Sequence, residues 1–358
     1  MGVFDAFWLA TTLRLSTPLI LTSSGELLAE RAGVLNIGLE GFMLAGAFFG
    51  FLGTYLTGSF FLGVVSGVVA GVVFAAAMAF LSIRLRADQI VVGIGINILA
   101  LGVTSFAFRE IFSGPQVLLD RPAPWRWPYL SDIPGVGEAL FAQPGWVYSS
   151  LVVVVVVWFV LQRTSWGLSI RATGELPEAA DTAGSSVFRN RWVTTLIAGG
   201  LAGAGGSFLS IELGVFIEGM TNGRGYLALA AVIFGRWRAP GVLAACLVFG
   251  GADALQLRLQ AEATVPIEVW LVLAMLGPAY LLITRRSLRS HHAVALVLVA
   301  AVTLAGAVLA VAQPQFTLPA QLWRTFPFVL TIVVLAGFIG RSWMPSTLAI
   351  PYSREADT

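Results

Sequence analysis

The feature that most constrains this chain is a run of 43 residues, positions 41–83, that contains no Asp, Glu, Lys or Arg. A run of this length fits two membrane-crossing helices of about 20 residues each, with a turn between them near residues 55–59. Further uncharged runs cover residues 89–108, 139–162 and 192–211. The composition agrees, since 57% of the residues are hydrophobic and only 11% are charged. The sequence therefore predicts an all-α polytopic membrane protein.

We expect residues 1–358 to form a single transmembrane domain of about ten or eleven helices, some of them broken or re-entrant. The first span is predicted over residues 6–23, with Arg14 inside it. A secreted enzyme, a nucleic-acid-binding protein and a cytosolic binding module are excluded by this composition. All 21 basic residues are arginine, so the chain lacks the lysine that a phosphate-binding loop needs. Only one cysteine, Cys246, is present, and we predict no metal site and no cofactor.

The arginines predict the orientation, because short cytoplasmic connections carry an excess of positive residues. Arginine-bearing connections occur at residues 84–86, 163–191, 236–238, 285–289 and 341. Alternating spans place all of them on one side, which we predict to be cytoplasmic.

The longest connection on the other side, residues 109–145, contains six prolines together with Trp125 and Trp127. Proline disfavours a helix here, and the tryptophan pair suits the headgroup level. This external loop is predicted either to cap the bundle or to dock an external partner. Small residues spaced four apart in a later segment, such as Gly199 and Gly203, predict close helix–helix packing.

Polar residues interrupt the apolar pattern at several places. Asn36 and Glu40 are four residues apart, so on a helix they would share a face. Glycines 33, 38 and 41 flank them, as at a broken helix whose free backbone groups line a cavity. The alternative is that Glu40 lies at the interface and is merely solvated.

Two other segments show the same character. Asp88 is predicted to cap a helix N-terminus, and Asn97 lies deeper in the following apolar run, where helix–helix bonding and ligand contact are both open. Asn222 precedes an 11-residue uncharged piece, residues 225–235, that is too short to span. Such short pieces are typical of discontinuous helices at binding sites, although a span that starts earlier would give the same pattern.

The arginine-rich connection at residues 164–191 contains Gly-Glu-Leu-Pro-Glu-Ala-Ala-Asp-Thr-Ala-Gly at positions 174–184. Pro177 suits the first turn of a short helix, Ala179 and Ala180 would give it a small smooth face, and Gly184 would end it. Such a helix could fit a groove on another protein.

At these residues the chain resembles permeases of ABC importers. Residues 178–184 are similar to the Glu-Ala-Ala-x-x-x-Gly coupling motif of that class. Residues 31–41 (Arg-Ala-Gly-Val-Leu-Asn-Ile-Gly-Leu-Glu-Gly) resemble the signature of the branched-chain amino acid, ribose and nucleoside permease superfamily, most closely its nucleoside branch. Residues 88–97 and 223–237 resemble that branch too. The resemblance covers about residues 10–262, resumes near 326–331 and includes the tail at 345–352.

The resemblance implies a permease subunit that moves nucleosides across the bacterial cytoplasmic (inner) membrane by alternating access. It implies a partner ABC ATPase, a second permease subunit and an external substrate-binding lipoprotein, and no enzymatic activity in the permease itself. A monosaccharide or a branched-chain amino acid is the alternative cargo. A self-contained secondary transporter is a further alternative, but it would need an intramembrane acid or histidine relay, and Glu40 is nearly alone.

We assign two sets of residues on this basis. The predicted substrate pathway consists of Asn36, Glu40, Gln89, Asn97 and Asn222.

The residues predicted to couple to the ATPase are Glu175, Glu178, Ala179, Ala180 and Gly184. Residues 263–324 are predicted to be a family-atypical insertion with extra helices. The continuation after Gly184 also departs from the form common among importers.

Overall fold

The structure is a computed structural model that describes residues 5–114, 117–134, 136–261 and 344–352, with isolated positions between 262 and 343. This part of the chain is almost wholly helical. Its helices are α1 (Ala6–Arg31), α2 (Leu39–Thr57), α3 (Phe60–Ala79), α4 (Gln89–Ile111), α5 (Gly137–Phe141), α6 (Gly145–Arg163), α7 (Ser165–Glu175), α8 (Pro177–Thr182), α9 (Val187–Leu213), α10 (Arg224–Phe234) and α11 (Ala239–Ala261). One turn of π-helix, Phe80–Arg84, extends α3, and a two-residue antiparallel ladder joins β1 (Trp125–Arg126) to β2 (Ala142–Gln143).

Six of the described helices are long and apolar enough to cross a membrane. They are Leu39–Thr57, Phe60–Arg84, Gln89–Ile111, Gly145–Arg163, Val187–Leu213 and Ala239–Gln260. The predicted all-α polytopic class is therefore confirmed. The long uncharged run forms α2 and α3, and the turn between them falls at Gly58 and Ser59, inside the predicted interval. The expected total of ten or eleven helices, the predicted insertion and the resemblance at 326–331 depend on residues that lie outside the described ones.

Helix α1 is longer than predicted. The expected span ended at residue 23 because two acids follow, but the helix continues to Arg31. Glu26 and Glu30 are both fully buried within it. These carboxyl groups are tolerated inside because distant parts of the chain donate hydrogen bonds to them, which no local pattern in the sequence reveals.

Helix α9 lies at the centre of the bundle, against α1, α2 and α3. Its glycines permit this approach, as predicted from their spacing. A Cβ atom on Gly46 of α2 would lie 2.3 Å from the carbonyl oxygen of Gly203. Backbones this close maximise dispersion contacts, which drive helix association in lipid.

The described residues mark two opposite ends of the bundle. At one end, which we call the Arg109 end, Arg109 donates to both carboxylate oxygens of Glu218 at 2.9 and 2.8 Å. This bond holds the pKa of Glu218 below its ordinary value. The proline-rich loop lies here, and its described residues form the short helix α5 and the ladder of β1 and β2. Trp125 and Trp127 stack with ring centroids 5.9 Å apart.

At the other end, which we call the α7 end, a segment comprising residues 344–352 packs across α7 and the α1–α2 connection. We call this segment the strap. The carbonyl oxygen of Gly174 accepts from the backbone N–H and the hydroxyl of Thr347, at 3.0 and 2.8 Å. Ala349 N–H donates to the carbonyl oxygen of Gly33 at 3.2 Å, and the Nη1 atom of Arg191 donates to a strap carbonyl at 2.8 Å. The strap therefore ties three separate elements together.

Candidate substrate route and coupling surface

The predicted break lies between α1 and α2, over residues 32–38. Helix α2 begins at Leu39, so Asn36 precedes the helix, and the predicted shared helical face of Asn36 and Glu40 is wrong. The Oδ1 atom of Asn36 accepts instead from the backbone N–H of Gly38 at 3.1 Å. This local turn is a conformation that asparagine favours, and it competes with helix formation.

Side chains from α1 and α4 supply acceptors for the broken backbone. The N–H of Asn36 donates to Oε1 of Glu26 at 3.0 Å, and the N–H of Leu35 donates to Oε1 of Gln89 at 2.8 Å. Gln89 is 3% exposed, so these are interior bonds that replace the missing helical ones. Asp88 caps α4 through Oδ1, the role predicted for it.

Glu40 lies in the first turn of α2 and faces the N-terminus of α10. Its Oε1 atom accepts from the N–H of Gly223 at 2.8 Å and its Oε2 atom from the N–H of Gly225 at 2.7 Å. The positive end of the α10 dipole thus meets a carboxylate, which satisfies two of the N–H groups that a helix start leaves free. A Cβ atom on Gly225 would lie 2.4 Å from the backbone nitrogen of Glu40, so only glycine permits this approach. Glu40 is therefore a structural anchor and not merely solvated.

Asn97 of α4 joins the same junction. Its Oδ1 atom accepts from the N–H of Gly41 at 2.7 Å, and its Nδ2 atom donates to the carbonyl oxygen of Ile37 and the hydroxyl of Tyr226, both at 2.9 Å. Three groups from α2, the break and α10 thus meet on one amide. The helix–helix bonding considered for Asn97 is present.

Four of the five predicted pathway residues form hydrogen bonds at this junction: Asn36, Glu40, Gln89 and Asn97. Asn222 borders the junction, because it precedes Gly223, whose N–H group donates to Glu40. It adopts φ of +44°, and its exposed side chain makes no hydrogen bond within the described residues. Tyr226 is 47% exposed and accepts one bond, so its hydroxyl proton remains available.

Four residues of the site were not predicted from the sequence, namely Tyr226, Glu26, Glu30 and Trp237. Trp237 donates from Nε1 to Glu30 Oε2 and lies in the turn between α10 and α11. For Tyr226 a signal existed, since a polar aromatic residue one turn into a short helix is unusual in an apolar run. The two acids were treated as the end of a span, although their four-residue spacing was visible in the sequence.

The predicted coupling region forms α7 and α8. Pro177 is the first residue of α8, and Gly184 adopts φ of +86° just after it, the left-handed terminator that was predicted. Ala179 is exposed, but Ala180 is only 4% exposed. The predicted small face formed by both alanines is therefore wrong, because adjacent positions point about 100° apart on a helix and Ala180 packs inward.

The remaining coupling candidates differ in their contacts. Glu178 is exposed in the first turn of α8. Glu175 is also exposed, but it lies 3.9 Å from Arg31 Nη1, and its Oε2 atom accepts from Ser346 N–H of the strap at 3.3 Å. Four of the predicted coupling residues are thus exposed, namely Glu175, Glu178, Ala179 and Gly184, and of these Glu175 is also held by Arg31 and the strap. No cluster of three or more metal-ligating side chains occurs among the described residues.

A half-length helix that begins beside a break between two longer helices is an arrangement typical of membrane transport proteins. The fold and the junction together define this chain as a multi-pass membrane permease. The chain belongs to the branched-chain amino acid transport system / permease component family, which matches residues 8–277. It is therefore a translocation subunit and not an enzyme.

Named relatives support the family. The chain is 44% identical to the putative glucose ABC transporter permease protein TsgC13 of Haloferax volcanii, over 72% of this chain and 79% of the relative. It is 32% identical to the guanosine ABC transporter permease protein NupQ of Bacillus subtilis, over 95% of this chain and 94% of the relative. It is 36% identical to the nucleoside ABC transporter permease protein NupC of Lactococcus lactis, over 67% and 79%. No solved structure matches the chain significantly.

Proposed function

We propose that this permease imports nucleosides, and that the cargo passes the junction where Asn222 and Tyr226 are exposed. The observation that carries the proposal is that some polar side chains at this junction are already hydrogen-bonded and others are not. Glu40 and Asn97 are already bonded to other groups of the protein, whereas the Asn222 side chain and the Tyr226 hydroxyl proton remain able to bond a cargo. Ribose hydroxyls suit an amide and a phenol, and a base can stack on the tyrosine ring. The guanosine permease relative, which aligns with 95% of the chain, supports this cargo.

A monosaccharide is the second candidate, because the relative with 44% identity is described as a putative glucose permease. Sugars and nucleosides share vicinal hydroxyls, so the same two side chains serve either one. A branched-chain amino acid fits less well, since its carboxylate and ammonium groups need charged partners. At the junction the Glu40 carboxylate is taken by α10, and Arg224 pairs with Asp253 at 3.7 Å.

We also infer the assembly around the permease. A separate ABC ATPase docks on the exposed surface of α8, a second permease subunit completes the translocation path, and an external lipoprotein delivers the cargo. The arginine distribution supports a cytoplasmic position for the α7 end and an external one for the Arg109 end. The membrane that we propose is the inner membrane of a bacterium, as the resemblance implies. Helix α8 is only six residues long, and Gly184 follows its end. A helix this short supports docking into a groove.

The cargo proposal is tested by uptake of radiolabelled guanosine and glucose through the complete importer. We expect guanosine to be transported, with unlabelled glucose a poor competitor. Tyr226→Phe and Asn222→Ala should each raise KM for guanosine about 2- to 10-fold, the effect of losing one hydrogen bond to the cargo. Tyr129→Phe makes the same chemical change on a residue that is 89% exposed in the proline-rich loop, and it should leave KM unchanged.

Two results would contradict this proposal. Transport of glucose with no inhibition by guanosine would replace the nucleoside with a sugar. Unchanged KM values in Tyr226→Phe and Asn222→Ala, for whichever cargo is transported, would remove these residues from the route.

A further inference from the structure

Two acids on α1 take no part in the route described above. Glu26 and Glu30 are one helical turn apart, and both are fully buried. Neither forms an ion pair with an arginine of the described residues. Two ionised carboxylates buried this closely without a cation would repel each other strongly and lose their hydration. Some other arrangement must therefore stabilise them.

Each carboxyl group has one oxygen bonded and one oxygen left over. Glu26 Oε1 accepts from the N–H of Asn36 at 3.0 Å, and Glu30 Oε2 accepts from Trp237 Nε1. The other oxygens, Glu26 Oε2 and Glu30 Oε1, are buried, and no donor of the described residues reaches them. Residues four apart on a helix lie side by side on one face, so the two carboxyl groups are neighbours in the same buried space. Because ionised carboxylates only accept, a bond between them requires a proton.

We propose that Glu26 and Glu30 share one proton between their unpaired oxygens and act together as positioning residues of the transport route. In this state all four oxygens are satisfied, and the pair carries a single negative charge. The inference concerns the same junction as the proposed function, but it does not depend on which cargo is moved.

The acid pair bonds to the Asn36 N–H and to Trp237 Nε1, and the locations of these two groups explain its positioning role. Asn36 lies in the break, and Trp237 lies in the turn after α10, where Arg236 and Trp237 both adopt φ of +53°. That left-handed backbone is unfavourable for residues with a side chain, so the turn needs external support. Arg31 adds to it, donating from Nε and Nη2 to the carbonyl oxygen of Trp237 at 3.0 and 2.7 Å.

Helix α10 is therefore fixed to the α1–α2 region at both ends. Glu40 holds its N-terminus, and Glu30 and Arg31 hold the turn that follows it. The acid pair connects this turn to the break, so a relative movement of the two during transport must strain or break the shared hydrogen bond.

The proposal predicts an unusual order among glutamine variants. In Glu26→Gln or Glu30→Gln the amide oxygen replaces the bonded oxygen, and the NH₂ group donates to the remaining carboxylate. Either single variant keeps every bond and the single negative charge, so uptake should stay within about twofold of wild type. The double variant places two NH₂ groups against each other, and its uptake should fall roughly tenfold or more below the product of the single effects.

Three matched measurements complete the test. Glu30→Ala leaves Trp237 Nε1 without its acceptor, and it should lower uptake roughly tenfold where Glu30→Gln does not. Glu110→Gln is the control, because it makes the same change from carboxylate to amide at an exposed residue in the last turn of α4. The infrared difference spectrum of purified full-length wild type minus Glu26→Gln should contain the carbonyl band of one protonated carboxylic acid at neutral pH.

The outcomes separate this inference from the cargo proposal, because the infrared band and the melting temperature in detergent need no cargo. The same order, with the double glutamine variant below the product of the singles, should appear in the melting temperatures. Additive glutamine effects in both uptake and melting temperature would overturn the shared proton. A wild-type spectrum without the protonated-acid band would overturn it as well, whichever cargo is transported.

Discussion

The anchor at Glu40 allows a quantitative prediction. Its carboxylate accepts two backbone hydrogen bonds, at 2.8 and 2.7 Å, at the start of α10. Hydrogen bonds to a charged group contribute about 1.5–3 kcal/mol each, and the helix dipole adds roughly 0.3–2 kcal/mol in partly buried geometries. Glu40→Ala removes both acceptors and the charge, so we expect a loss of about 3–8 kcal/mol in the stability of the junction.

Glu40→Gln is the more informative variant. It keeps one acceptor oxygen but turns a donor towards the second N–H, so about 1.5–3 kcal/mol should be lost. The melting temperature of the purified permease in detergent should decrease in the order wild type, glutamine, alanine. Uptake by the complete importer should decrease in the same order, because α10 carries the residues proposed to meet the cargo.

Glu110→Gln provides the control for removing a carboxylate from an exposed position. If Glu40→Gln melts at the same temperature as this control, the two hydrogen bonds do not anchor α10 and the reasoning fails. If its melting temperature falls while uptake is unchanged, the anchor is real but α10 is not part of the route.

Two further predictions concern the ends of the bundle. Ala179→Arg adds bulk to the exposed surface of α8, so the purified complex should lose its ATPase subunits or their stimulation by cargo. Ala123→Arg, which makes the same change at an exposed position of the proline-rich loop, should leave the complex intact. If both variants yield the same complex as each other, docking at α8 is contradicted. Asp5 caps α1 and accepts from Arg258 at 2.8 Å, and this bond lowers the pKa of Asp5 from 3.8 to about 2. A carboxyl group whose pKa is lower in the folded state stabilises that state at pH values above its unfolded pKa. This stabilisation should therefore disappear as the pH falls from 3.8 towards 2, and the melting temperature of Arg258→Gln should not show the corresponding decrease.

The outline of the fold was predictable because charges mark the ends of most spans. The uncharged runs located α2, α3, α4, α6 and α9 to within a few residues. The rule failed at α1, where Glu26 and Glu30 lie inside the bundle. Their partners, Asn36 N–H and Trp237 Nε1, are brought to them by the break and by a turn more than 200 residues away. No local pattern contains that information.

Several members of the candidate site were predictable, but Tyr226 and the geometry of the site were not. Polar side chains in apolar runs identified Asn36, Glu40 and Asn97, since such groups need partners. The partners themselves depend on how α4 and α10 pack against the break, and apart from the Tyr226 hydroxyl they are backbone groups. The inward orientation of the Ala180 side chain was not predictable either, because the pattern in a six-residue helix is too short to indicate which side faces the protein.

The strap has a consequence for how the permease is made. Its hydrogen bonds join residues 33 and 349, and residues 174 and 347, so the partners leave the ribosome at very different times. Until residues 344–352 have been synthesised, the carbonyl oxygens of Gly33 and Gly174 lack the donors that they have in the finished protein. The α7 end is thus completed late in biogenesis, so a nascent chain would pass through a stage in which its helices are inserted but the surface proposed to bind the ATPase is unfinished. If the ATPase docks there as proposed, its assembly with the permease would follow translation of the strap.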